Sequence, residues 1–134
     1  MEVVCGILED DTGRILAAQR PAGKHLEGCW EFPGGKIESG ESAEGALVRE
    51  LREELGVKVS VHEKLTISTH TYEPFTIRLH PFLVRIDEGE AVAREHEAIR
   101  WIPLEGMREL RWAPADLPIV EEILDLKNGR HQAS

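Results

Sequence analysis

The chain is 134 residues long, 41% hydrophobic and 31% charged, the profile of one folded domain rather than a disordered or fibrous chain. No apolar run approaches the ~18 residues of a membrane span. Met1-Glu2-Val3-Val4-Cys5 lacks the basic start and apolar core of a signal peptide, so a cytoplasmic protein is expected. With 25 acidic and 16 basic residues the formal net charge is -9, which excludes a broad nucleic-acid surface; a polyanion is bound only locally, most simply with help from divalent metal. Two cysteines, Cys5 and Cys29, are too few for a disulfide framework and read as reduced thiols, Cys5 as a small core residue.

Residues 3–9 and 14–20 have strand-like patterns and are joined by Asp10-Asp11-Thr12-Gly13, a hairpin turn signal. A Gly-, Pro- and Lys-containing loop follows, then the short apolar segment Cys29-Trp30-Glu31-Phe32, which ends at Pro33-Gly34-Gly35 and a tight loop. A helix is predicted over 42–55, with Ser42 as N-cap and Gly56 as its stop. Strands are predicted at 57–61, 65–71, 75–86 and 99–102, a second helix at 115–127, and a frayed tail at 129–134. Mixed strands with one helix in the middle and one at the end imply an α+β fold, an α/β/α sandwich around a mixed sheet, in a single domain over 1–128.

The stretch GKIESGESAEGALVRELREELGV, residues 35–57, carries the chemistry. At ~100° per residue, Glu50, Glu53 and Glu54 share one arc of the helix, and Leu47, Val48, Leu51 and Leu55 occupy a neighbouring arc. Three carboxylates on one face repel one another. Either a hard cation such as Mg²⁺ offsets them, or Arg49 and Arg52 neutralise an ordinary solvated surface. The glycines at 34 and 35 allow close backbone approach, and the Gly34 carbonyl is a candidate fourth oxygen for the same metal. As a bare turn, these glycines mean nothing more.

The spacing from Gly35 to Glu41, then Arg49-Glu50-Leu51, Glu53-Glu54 and Gly56-Val57, matches every fixed position of the Nudix box, G-x5-E-x7-R-E-U-x-E-E-x-G-U, with U aliphatic. The chain therefore resembles the Nudix hydrolases. The resemblance implies cleavage of a nucleoside diphosphate linked to another group, with Mg²⁺ or Mn²⁺ as cofactor. It implies Glu50, Glu53 and Glu54 as metal ligands, Arg49 as the residue orienting them, and Glu41 as a brace at the loop–helix junction. Metal neutralises the phosphates and acidifies a water, and Glu50 or Glu53 takes the proton.

Beyond the box the chain is similar to the MutT branch, which converts a nucleoside triphosphate to monophosphate and pyrophosphate by attack at the β-phosphorus. This likeness implies a nucleotide-binding role for Arg20, His25, Glu31, Phe32, Pro33 and Gly34, and metal approach for Glu95, with Glu97 its rival. Asp116, in Ala113-Pro114-Ala115-Asp116, stands where the branch has a base-reading asparagine. Ionised, it only accepts and suits an exocyclic amine; protonated by burial, it donates to a carbonyl. It is also a plausible helix cap.

A CTP-hydrolysing branch of the family is similar as well, so oxidised purine and cytosine triphosphates compete as substrates, with 8-oxo-dGTP leading. The partner is a nucleoside triphosphate, with no nucleic-acid polymer and no membrane. An ADP-sugar or dinucleoside polyphosphate hydrolase, suggested by Pro74, and a non-catalytic nucleotide sensor are the remaining readings. Trp30 and Trp112 either stack on the base or close the core.

Overall fold

The computed structural model describes residues 1–133, with side chains to 128; of the expected tail at 129–134, residues 129–133 have helical backbone and Ser134 lies outside the described residues. The strands are β1 (Glu2–Leu8), β2 (Ile15–Gln19), β3 (Trp30–Glu31), β4 (Gly34–Lys36), β5 (Lys58–Lys64), β6 (Ser68–Tyr72), β7 (Phe75–Glu88) and β8 (Ala98–Ile102). The helices are α1 (Ala43–Leu55) and α2 (Leu117–Ala133), the latter preceded by 3-10 turns at Leu104–Glu109 and Pro114–Asp116.

Two sheets form. One is a five-stranded mixed sheet ordered β4-β1-β7-β5, with β6 also on β7; β1 and β7 are parallel and the other pairs antiparallel. The second is antiparallel, ordered β3-β2-β8. The expected hairpin of the first two strands is thus a turn without a ladder. Asp10 closes that turn by accepting from the Thr12 and Arg14 amides at 3.0 and 2.9 Å, but only the bridge Glu9–Ile15 links its arms. Both sides of β1 are already taken by β4 and β7, so β2 crosses to the other sheet.

β1 is apolar at consecutive positions because both its faces are covered. Cys5 and Ile7 enter the core beneath α2, with Ile119, Val120 and Ile123, whereas Val4 and Leu8 enter the core beneath α1, with Leu47, Leu51 and Leu55. This is the period-two signature of a strand between two helical layers.

α1 forms as expected. The Ser42 hydroxyl accepts from the Gly45 amide at 3.0 Å, and Gly56 ends the helix at φ 73. Like-charge pairs at this spacing destabilise an isolated helix by roughly 0.2–0.5 kcal/mol each. Burial of each leucine contributes about 1.5–3 kcal/mol, so packing wins and an acidic face can be kept.

The loop expected at Gly34-Gly35 is strand β4. Its register places Gly34 opposite Cys5 and Gly35 opposite Val4. Glycine is a poor strand former, which hides the strand in the sequence, but a Cβ on Gly34 would stand 1.9 Å from the Val4 carbonyl oxygen. Only glycine lets this backbone approach so closely.

Candidate active site

Arg49 organises the entrance to the box helix. Its Nε and Nη2 donate to the two Glu41 oxygens at 2.7 and 2.9 Å, Nη1 donates to Glu50 at 3.0 Å and Glu53 at 3.4 Å, and Nη2 also reaches the Lys36 carbonyl at 3.2 Å. The Arg49 guanidinium, and then the Glu38 amide, hold Glu41 down to about 2. One planar cation therefore ties β4, the loop and α1 together.

Glu50 lies over Gly35, where a Cβ would meet its carboxyl carbon at 2.3 Å. Gly35→Ala should displace that carboxylate. We expect kcat/KM to fall by at least ~10-fold, or about 1.4 kcal/mol, measured alongside circular dichroism showing an intact fold.

Glu54 is buried, at 7% exposure. Its Oε2 has no hydrogen-bond partner among the described residues, and the nearby Gly34 amide favours its charged form. Burial, then the charges of Glu50, Glu31 and Glu95, push its carboxyl up to about 9. Glu50 is raised too, by burial, with Arg49 opposing. Among the described residues no three acidic, imidazole or thiol side chains converge into a cage as they stand; Glu53 is exposed and bonded to Arg49 instead. Even so, an all-oxygen donor set with an unpaired buried oxygen amid like charges fits a hard divalent cation, which would satisfy that oxygen and offset the repulsion.

Glu54, Gly34 and Gly35 line a cavity of about 300 Å³ together with Asp116, Phe32, Glu31, Arg20, His25, Tyr72 and Phe75. A wider, open groove of about 1230 Å³, between β7, the 89–92 loop and Lys127, carries none of the box residues. The smaller cavity is the one lined by residues of the box.

In its wall Asp116, 4% exposed, accepts the Phe32 amide proton on Oδ2 at 2.9 Å. Burial and the nearby Glu31 charge push the Asp116 carboxyl well above the ordinary range, with the Phe32 amide opposing. Its carboxyl thus joins the Ala-Pro-Ala-Asp segment to β3 rather than capping α2. Tyr72 braces the same segment by accepting from the Ala115 amide at 2.9 Å.

Phe32 stacks on Trp112 at 4.7 Å, and its amide is used by Asp116. Trp30 and Trp112 are both buried, so they close the core. Pro33 does not line the cavity; its carbonyl accepts from the Gly6 amide at 2.8 Å. His25 packs edge-on against Tyr72 and Phe75 at the cavity wall. Arg20 donates to Glu31 at 3.0 Å and to the His25 carbonyl. Pro74 is simply a residue of the turn between β6 and β7. Cys5 and Cys29 are free and buried.

Glu95 is exposed, and its charge reaches Glu54. The loop that carries it is docked on the end of α1: the Arg94 amide donates to the Glu54 carbonyl at 3.3 Å and its guanidinium to the Arg52 carbonyl at 3.3 Å. A Cβ on Gly56 would meet Arg94 Nη2 at 2.6 Å. The box glycine therefore both ends the helix and makes room for this arginine. Glu97 instead uses its amide on the Gln19 carbonyl at 2.9 Å. Arg94 and Tyr72 are not legible in the sequence as residues of this region, because their partners are distant in the chain.

A family model described as NUDIX domain matches residues 3–122. CTP pyrophosphohydrolase of Escherichia coli K12 is 43% identical over 130 residues, covering 97% of this chain and 96% of the relative. The 8-oxo-dGTP diphosphatase of the same organism is 34% identical over 126 residues, covering 92% and 95%. The solution structure of the E. coli ORF135 protein superposes with a TM-score of 0.83 at 42% identity, covering 96% of this chain and 91% of that one. No helix among the described residues is long and apolar enough to cross a membrane. With the box geometry, the fold and these likenesses in agreement, the chain belongs to the Nudix hydrolase family.

Proposed function

We propose that this protein hydrolyses nucleoside triphosphates to monophosphate and pyrophosphate with Mg²⁺, or Mn²⁺ in its place, and selects a base that presents a hydrogen-bond acceptor beside a donor. The observation that carries this reading is that buried Asp116, buried Glu54 and the Gly34-Gly35 backbone all line one cavity. A protonated carboxyl donates through its hydroxyl and accepts through its carbonyl. On 8-oxoguanine the matching pair is O6 with N7–H; unmodified guanine offers two acceptors on that edge. On cytosine the matching pair is N3 with the N4 amine.

The oxidised purine triphosphate, 8-oxo-dGTP, is the leading substrate. The cytosine reading is favoured by the 43% identity to a CTP pyrophosphohydrolase. Glu50, Glu53, Glu54 and the Gly34 carbonyl would hold the metal, with Glu95 approaching it. Bound there, the metal supplies charge neutralisation for the phosphate chain and a more acidic water. Arg49 fixes Glu50 and Glu53 in place, and one of these two carboxylates takes the proton from the attacking water.

The test is product identification on 8-oxo-dGTP, dGTP, CTP, 5-methyl-dCTP and ADP-ribose with Mg²⁺, in heavy-oxygen water. Pyrophosphate carrying the label, and kcat/KM for 8-oxo-dGTP or the cytosine nucleotides at least ~30-fold above dGTP, about 2 kcal/mol, is the expected result. Preference for ADP-ribose, or no turnover of any compound, would overturn it.

A further inference from the structure

The loop that carries Glu95 toward the box helix also carries a residue to Glu31, which lines the cavity. His96 follows Glu95, and backbone bonds on either side pin it: Arg94 to the Glu54 carbonyl and Glu97 to the Gln19 carbonyl. Its side chain is only 6% exposed, and its Nε2 lies 3.0 Å from Glu31 Oε2. The other Glu31 oxygen, Oε1, accepts from Arg20 Nη1 at 3.0 Å. A carboxylate is an acceptor, so the imidazole donates from Nε2. Its Nδ1 has no partner among the described residues, so the Nε2 bond to Glu31 is the side-chain hydrogen bond that fixes the ring. Glu31 lines the cavity with Asp116.

We propose that His96 is a positioning residue for nucleobase selection: with Arg20 on one oxygen and His96 on the other, Glu31 is held against the cavity as a fixed second acceptor for an amine or imide hydrogen of the base. This inference rests on the cavity being the base site. Without His96 one anchor is lost, and the carboxylate turns toward solvent or Arg20. The acceptor pattern facing the base then blurs. Glu31 also contributes to the charge felt by Asp116, so its displacement alters both polar groups that read the base.

The test is calorimetric binding of 8-oxo-dGMP, CMP and dGMP to the full chain without metal, which reads base selection apart from chemistry. His96→Leu should reduce the ratio of Kd values between preferred and disfavoured base at least ~10-fold. His96→Gln keeps an amide donor near the Nε2 position and should retain the ratio within ~3-fold. His96→Asn, whose amide is too short to reach Glu31, should lose it, and serves in place of His96→Leu if that variant fails to fold. In a Glu31→Gln background, His96→Leu should have no further effect.

Equal weakening for every base, or independent, additive effects of the two substitutions, would overturn the inference. A wild-type chain that binds monophosphates selectively but hydrolyses no triphosphate would sink the proposed reaction and leave the role of His96 standing. A wild-type chain that binds the three monophosphates without preference would overturn this inference even if triphosphates are hydrolysed.

Discussion

Glu54→Gln is expected to abolish turnover while raising the melting temperature of the metal-free protein. In the native state this carboxyl is buried among like charges, with one oxygen unpaired. The amide keeps its shape and removes the ionisation that burial opposes. The gain should be on the order of 1–2 kcal/mol near neutral pH, a rise of roughly 3–8 °C for a chain of this size.

The folded carboxyl is raised to about 9 from an ordinary value of 4.5, so between those values folding takes up a proton. Stability contributed by this group therefore falls as pH rises through that window. The variant's advantage should vanish near pH 4 and grow toward pH 9, measured by thermal melts in a chelator. Activity should fall by roughly 10³-fold, the scale for removing a group that holds charge-stabilising machinery. A variant that loses stability, or retains most of the wild-type kcat, would show that Glu54 is an ordinary buried residue.

Asp116→Ala should remove base discrimination and destabilise the fold. The substitution strands the buried Phe32 amide that Asp116 now satisfies, at about 1–3 kcal/mol. It also takes away a buried polar group of the cavity wall, so the ratio of kcat/KM between preferred and disfavoured triphosphates should drop by roughly 10–100-fold. Asp116→Asn separates the two protonation states of the wild type. With Oδ2 accepting from Phe32, the proton of a neutral Asp116 sits on Oδ1 and donates into the cavity, as the asparagine amide would.

Because burial raises this carboxyl, its capacity to donate persists to higher pH than for an ordinary carboxyl and is lost as pH rises through its elevated pKa. The wild-type preference should decline in alkali, and the asparagine variant's should not. If Asp116→Asn destroys the preference at neutral pH, the working group is instead an ionised acceptor, and the cytosine reading gains.

The box helix was legible because everything that defines it is local. Ser42, Gly56, the leucine stripe and the carboxylate arc all follow from helical geometry over a few turns. The β4 strand was not, since Gly34 and Gly35 look like a turn until Val4 and Glu50 stand against them. The pairing of β1 with β7 rather than with β2 was equally hidden: the turn at 10–13 suggests a hairpin, and only competition for the two edges of β1 rules it out.

Sequence by itself determined the family, the two-layer burial of the strands and the identities of the chemical groups, because spacing and periodicity are properties of a short stretch of chain. Tertiary structure alone decided the protonation character of Glu54 and Asp116, the clamp of Arg20 and His96 on Glu31, and the docking of Arg94 on the helix end. Each of these depends on burial and on charges brought together from distant segments, and a carboxylate's chemistry is set by that surrounding field and not by its position in the chain.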